Sequence, residues 1–108
     1  MPNLTFFIPA EQMPPAQALA ALTERCTQLC VEVLEASLEN VHIIHVPVHQ
    51  GRGHPAFAEI KYRLEPSRTP PVMAFFMERL DQALRRHTGL TARIRCFGYA
   101  ASTIHARN

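Results

Sequence analysis

Residues 56–71 read AFAEIKYRLEPSRTPP, and this stretch is the most informative about the fold because it joins a strand, a loop and the start of a helix. Apolar and charged side chains alternate strictly over residues 58–64, which indicates a half-buried β-strand. Pro70 and Pro71 follow the loop, and prolines are tolerated in the first turn of a helix. Apolar residues then recur at helical spacing up to Gly89, which predicts a helix that ends there.

The same succession occurs earlier in the chain. Residues 2–8 form an apolar strand, and a second proline pair, Pro14 and Pro15, stands 56 residues before Pro70 and Pro71. The apolar stripe that follows predicts a helix to about Ala36. The chain is therefore interpreted as a duplication.

A further strand closes each copy, at residues 41–48 and 92–99. Each β-α-β unit pairs two parallel strands through a crossover helix. Two such units predict a two-layer α+β fold with a four-stranded mixed sheet and both helices on one face. We expect one domain, with repeats at about residues 2–49 and 56–99 and a C-terminal tail at residues 100–108.

The helices leave one face of this sheet uncovered. If the charged sides of the third and fourth strands align, that face carries Glu59, Lys61, Arg63, Arg93 and Arg95. It is then either a solvated surface with cross-strand ion pairs or a face that packs in an oligomer.

The residue after the initiator methionine carries the main chemical hypothesis. Trimming of Met1 would leave Pro2 with a free secondary amine at the start of the first strand. A neutral amine in a partly buried or cationic environment is a usable general base near neutral pH. If Met1 is retained, the Pro2 nitrogen is an amide and cannot act as a base.

Composition narrows the class of protein. The chain has 108 residues, a net charge of +2, and 47% hydrophobic residues, which is typical of a globular domain and argues against a nucleic-acid partner. No apolar run reaches the roughly 18 residues of a membrane span, and no signal peptide is recognised. An odd number of cysteines, three, argues against a disulfide framework and favours a reducing cytoplasm.

Cysteines and histidines do not form a metal-ligand pattern. Cys26 and Cys30 fall on the apolar stripe of the first helix, where we expect them to act as small core residues. His45 and His49 share a strand face but lie about 13 Å apart along it. We expect neither a metal nor another cofactor.

The chain resembles the tautomerase superfamily over its whole length. The Met1-Pro2 start before an apolar strand resembles the catalytic proline of that family, and the duplication resembles its double-length members, 5-carboxymethyl-2-hydroxymuconate isomerase and macrophage migration inhibitory factor. Residues 56–69 resemble the muconate isomerase strand that ends in Gly-Arg-Ser. Residues 94–102 resemble the last strand of the family.

This resemblance implies a keto-enol tautomerase with Pro2 as its general base and a keto or enol acid as its substrate. Arg68 would bind the substrate carboxylate, and Arg63 or Lys61 would favour the neutral amine and stabilise enolate charge. Leu4, Phe6 or Phe97 would supply an apolar wall of the pocket, with Tyr99 as a further pocket residue. Members are usually homotrimers with the proline at a subunit interface, and neither a nucleic acid nor a membrane is implied as a partner.

Two alternatives remain open at this point. The same proline runs decarboxylation or dehalogenation in other branches of the superfamily, where it acts as an acid. The fold could instead be a trimeric interaction module that retains Met1 and has no activity.

Overall fold

The computed structural model describes residues 2–108, so predictions about Met1 lie outside the described residues. It contains four strands and two long helices, with a short 3-10 turn after β1, before β2 and after β4. The elements are β1 (Asn3–Pro9), α1 (Ala16–Glu32), β2 (His42–Val48), β3 (Ala56–Arg63), α2 (Pro70–Thr88) and β4 (Ala92–Tyr99).

The strand pairing confirms the predicted duplication. The sheet order is β2-β1-β3-β4, with β1 parallel to β2 and β3 parallel to β4. The two units meet where β1 and β3 pair antiparallel, with Asn3 opposite Lys61. Pro47 lies in the edge strand β2, where a residue without an N–H is tolerated.

Both helices cover the same face of the sheet and form the core with it. Alternate residues of β1 and β3 point into this core, and the apolar stripes of both helices meet them because side chains alternate along a strand. The largest fully buried residues of the core include Leu4, Phe6, Ile8, Leu22, Leu29, Leu34, Ile60, Phe76, Leu80 and Leu84.

The two helices end differently. The prediction that α1 continues to Ala36 is wrong, because α1 ends at Glu32. Glu35 adopts a left-handed φ of 54°, and the Ala36 N–H donates to the Cys30 carbonyl at 3.1 Å. The end of α2 agrees with its prediction, since Gly89 follows it at a φ of 72°, a conformation that glycine adopts without strain.

The charged sides of β3 and β4 do align on the uncovered face. Glu59 is opposite Arg95 in the parallel register. The face also carries apolar side chains, because Phe7 of β1 stacks on Phe57 of β3 with ring centroids 5.8 Å apart. It is therefore not the purely charged surface that the alternation of β3 indicates.

Within residues 2–108, neither helix has the combination of length and apolar character that crossing a membrane requires.

Candidate functional site

Arg68 is the buried charged residue at one end of the sheet. Its side chain is 9% exposed, although it stands in the loop between β3 and α2. Its Nε donates to the Leu34 carbonyl at 2.9 Å, and its Nη1 donates to the Arg63 carbonyl at 2.8 Å. The guanidinium thus joins the segment after α1 to the end of β3.

A cleft of about 500 Å³ opens beside this guanidinium, and we call it the Arg68 cleft. It lies where α1 has ended, where β3 ends and where the C-terminal tail returns to the sheet. Its walls are polar, as expected of a site for a small charged molecule. The lining residues are Leu34, Glu35, Ala36, Ser37, Asn40, Arg63, Glu65, Ser67, Arg68, Ala106 and Asn108.

Arg63 supplies the second guanidinium of the cleft. Its Nε is buried and has no hydrogen-bond partner among the described residues. A buried N–H without a partner is costly, and the cost disappears when an acceptor occupies the space beside it. Neither arginine takes part in the ion pairs found within residues 2–108, which are Lys61–Glu59 and Arg85–Asp81.

Pro2 lies at the same end of the sheet. Its side chain is fully buried, and its carbonyl accepts a hydrogen bond from the His42 N–H at 3.0 Å. Since Asn3, the first residue of β1, pairs with Lys61, Pro2 lies just before β1 and beside the last residues of β3. Pro2 is not itself a lining residue of the Arg68 cleft.

The other three predicted site residues lie on the uncovered sheet face. Lys61 is 53% exposed at its side chain and has Glu59 at 3.9 Å. Phe97 is opposite Lys61 and Tyr99 is opposite Arg63, and both aromatic side chains are 41% exposed. Within one protomer, these residues are not brought to the Arg68 cleft.

A second, more apolar cleft of about 610 Å³ reaches Arg68 from the side of α2 and β4. Met73 and Met77 of α2 and Ile94 of β4 line it. Tyr62 also lines it, and burial is the main cause that raises the pKa of its phenol, with a further rise from Cys96 and an opposing effect of Arg68. The raised pKa keeps the Tyr62 hydroxyl neutral near neutral pH, in the same cleft as the buried Arg68 guanidinium.

The cysteines of α1 are buried, as predicted. Burial raises the pKa of Cys26 to about 12, and burial raises that of Cys30 to about 11 against the opposing charge of Arg68. Such thiols are protonated and unreactive near neutral pH. Within residues 2–108, no group of three histidine, cysteine or acidic side chains is placed to hold a metal ion.

Sequence reasoning missed several lining residues of the Arg68 cleft, among them Glu35, Asn40 and Asn108. Glu35 and Asn40 belong to the connection between α1 and β2, and Asn108 belongs to the tail. Polar residues in connecting segments carry no periodic signal, so their placement depends on the tertiary structure. A clue was available at Glu35, because it precedes the second strand at the same sheet end as Pro2.

Three solved structures share the fold of this chain. A macrophage migration inhibitory factor of Toxoplasma gondii superposes with a TM-score of 0.78 at 16% identity, over 98% of this chain and 96% of that one. A fused 4-OT, a symmetric trimer, gives 0.79 at 20% identity, over 98% and 92%. Malonate semialdehyde decarboxylase gives 0.73 at 11% identity, over 98% and 91%.

All three belong to the tautomerase superfamily, so the chain has the tautomerase fold. No family profile and no curated protein sequence matches the chain. The likeness is therefore one of fold, at low sequence identity.

Proposed function

We propose that this protein is a tautomerase that moves a proton within a keto or enol acid, with Pro2 as the general base after removal of Met1. The neutral Pro2 nitrogen takes a proton from an enol oxygen or from the carbon next to a carbonyl. The same nitrogen returns the proton elsewhere on the conjugated system, so the substrate is isomerised without a cofactor.

The observation that carries the proposal is the pair of guanidiniums at the end of the sheet where β1 begins and β3 ends. Arg63 and Arg68 line one cleft together with Glu35 and Glu65, and neither arginine forms an ion pair within residues 2–108. Two donors of Arg68 are used by backbone carbonyls, which fixes its position. A substrate carboxylate would accept hydrogen bonds from the buried Nε–H of Arg63 and from the remaining N–H groups of Arg68.

The fold comparisons support this chemistry. Macrophage migration inhibitory factor, 4-OT and malonate semialdehyde decarboxylase share the architecture, and the decarboxylase has been studied with its first proline replaced by alanine. Its name also supports a second candidate function, decarboxylation of a 3-oxo acid by the same proline and arginine cleft. In that reaction the carbon dioxide leaves and a proton is added at the carbon that held it.

We also propose a homotrimer, because the fused 4-OT with this fold is a symmetric trimer. Ile44, Phe97 and Tyr99 are large, exposed side chains of the uncovered sheet face. Burying them between subunits would remove apolar area from water. It would also allow Lys61, Phe97 and Tyr99 of one subunit to approach the Arg68 cleft of a neighbour.

A cytoplasmic location is proposed as well. The three cysteines are unpaired in the structure, as expected in a reducing compartment. Three thiols that alkylate on unfolding, in protein isolated under non-reducing conditions, would agree with this location. A disulfide would contradict it.

The first experiment is an intact-mass measurement followed by an assay of phenylenolpyruvate ketonisation. We expect the purified protein to lack Met1 and to accelerate ketonisation. Pro2→Ala, which keeps a primary amine, should lower kcat roughly 100-fold, in the range of general-base contributions. A fully active protein that retains Met1 would overturn the assignment of the base and favour the interaction module.

The arginine cleft is tested in the same assay. Arg63→Ala should raise KM for 2-keto acids about tenfold or more, because a charge-assisted hydrogen bond is lost. Arg52→Ala, an exposed loop arginine, is the matched control and should leave KM unchanged. If the protein turns over malonate semialdehyde but not phenylenolpyruvate, the result supports the second candidate function, decarboxylation.

A further inference from the structure

We propose that the groove between α1 and α2 binds a small oligophosphate anion through Arg25, Arg79 and Arg86. This groove, which we call the helix groove, has a volume of about 500 Å³. It shares no lining residue with the Arg68 cleft, so it is a separate site. The proposal therefore does not depend on the proposed tautomerase activity.

Neutral side chains hold two of these arginines in place. The guanidinium carbon of Arg79 lies 4.8 Å from the centre of the Phe75 ring, and its Nη1 donates to Gln82 Oε1 at 3.2 Å. Arg25 Nη1 lies 3.5 Å from Gln28 Oε1. Both arginines are half-buried, so less of their side-chain freedom remains to be lost on binding. Arg25 and Arg79 thus contact neutral partners rather than carboxylates.

Positive charge is concentrated in the groove. Among its lining residues, Glu24 is the acidic one against three arginines, which leaves an excess of two positive charges. The net charge of the whole chain is also +2, so the remaining charges balance. Arg85 on α2 differs from the groove arginines because Asp81 holds it in an ion pair at 3.1 Å.

The size and lining of the groove favour a small anion over a protein segment. Its volume lies within the range of small-ligand sites. The apolar residues of its lining are Ala21 and Ala83, which offer no pocket for the large anchor side chain that a protein partner needs. Arg79 and Arg86 stand seven positions apart, or about 10 Å along the helix, with Arg25 on the facing helix.

Linked phosphates fit this arrangement better than a single phosphate. Arginine matches the oxygens of a phosphate with two parallel hydrogen bonds. The three arginines stand at separate positions. Several phosphates joined in one molecule would let each guanidinium donate two hydrogen bonds to a different phosphate. His87 also lines the groove and would add a donor.

The test is titration calorimetry of the full chain with sodium tripolyphosphate at low salt. We expect binding that weakens as salt rises, since exposed charges are screened. The double variant Arg79→Gln with Arg86→Gln should weaken the affinity at least about tenfold, because charge-assisted hydrogen bonds to phosphate are lost. Arg85→Gln on the same helix is the matched control and should bind as the unmodified protein does.

Two further ligands identify the source of the phosphates. ATP that binds more tightly than tripolyphosphate would identify a nucleoside triphosphate as the ligand, whereas equal affinities would identify the phosphate chain alone. The proposal is overturned if tripolyphosphate does not bind, if orthophosphate binds as tightly, or if Arg85→Gln weakens binding as much as the double variant. Ketonisation measured on the same proteins should not change, so failure of one site is distinguishable from failure of the other.

Discussion

The two β-α-β repeats have the same order of elements, but their helices begin differently. The proline pairs match at 56 residues in the sequence, yet α1 begins at Ala16 after Pro15, whereas α2 begins at Pro70 itself. In the second repeat the Thr69 hydroxyl accepts the Val72 N–H, and in the first repeat Pro15 has no side-chain acceptor to offer. Equal motifs thus occupy unequal positions in the two helices.

The loops that lead into the helices differ even more. In the first repeat, Ala10–Gln12 forms an exposed 3-10 turn. In the second repeat the loop carries Arg68, which is buried and reaches carbonyls of both repeats. The two repeats thus share a scaffold, but only the loop of the second repeat links the two copies, through Arg68, and lines a charged cleft.

The largest effect is expected at that link. Arg68→Ala should lower the free energy of unfolding by about 3 kcal/mol, because the carbonyls of Leu34 and Arg63 lose their donors in a poorly hydrated place. Urea denaturation measures this change. Gln12→Ala in the exposed loop of the first repeat is the control, with an expected change within about 0.5 kcal/mol. Equal losses in both variants would mean that Arg68 is not what distinguishes the two loops.

Most of the fold could be predicted from the sequence because each element has a periodic signal. The strict alternation of residues 58–64 and the proline pairs located strands and helices to within a few residues. The end of α1 could not be predicted in this way. A helix commonly stops at glycine, and here Glu35 adopts the left-handed conformation instead.

The site was less predictable than the fold. The family resemblance implied that Pro2 and Arg68 belong to one site, and the antiparallel register places the start of β1 beside the end of β3. The sequence did not indicate that Arg68 binds backbone carbonyls, because a carbonyl group belongs to every residue and leaves no pattern. Nor could it say whether Lys61 and Phe97 belong to the site, since the strand alternation places them on the sheet face that the helices leave uncovered.

A smaller effect is expected at the edge strand of the second repeat. A Cβ at Gly98 would lie 2.6 Å from Leu64 Cδ2 and 2.9 Å from the Tyr62 ring. Gly98→Ala should therefore lower the free energy of unfolding by about 1–2 kcal/mol. The loss is smaller than a rigid clash would cause, because the half-exposed Leu64 side chain can move away. Gly51→Ala, where a Cβ meets nothing within 4 Å, is the matched control. If both variants are equally stable, then Tyr62 is not packed against β4.

The helix caps give a still smaller difference. Thr69→Ala should cost about 0.5–1 kcal/mol, at the low end for an N-cap because the Val72 N to Thr69 Oγ1 distance is 3.4 Å. Thr69→Ser keeps the hydroxyl and should retain most of the stability. Thermal unfolding of the three proteins is the measurement. A stable Thr69→Ala would show that α2, like α1, begins without help from its cap residue.

The smallest effect belongs to the edge strand of the first repeat. His45 stacks on Phe6 with ring centroids 5.5 Å apart, and its Nε2 lies 3.4 Å from the Thr23 hydroxyl. Burial lowers the pKa of His45 below its usual 6.5, so below that pH the unfolded chain binds more protons than the folded one.

Stability from the neutral His45 ring is therefore complete above about pH 6.5 and is lost as the pH falls towards the lower folded pKa. Unfolding measured at about pH 7.5 and about pH 5 should show a smaller pH dependence in His45→Gln than in the unmodified protein. The exposed His42, at the start of the same strand, is the control, and His42→Gln should keep the dependence. If His42→Gln removes the pH dependence and His45→Gln does not, the His45 ring packed under α1 is not its source.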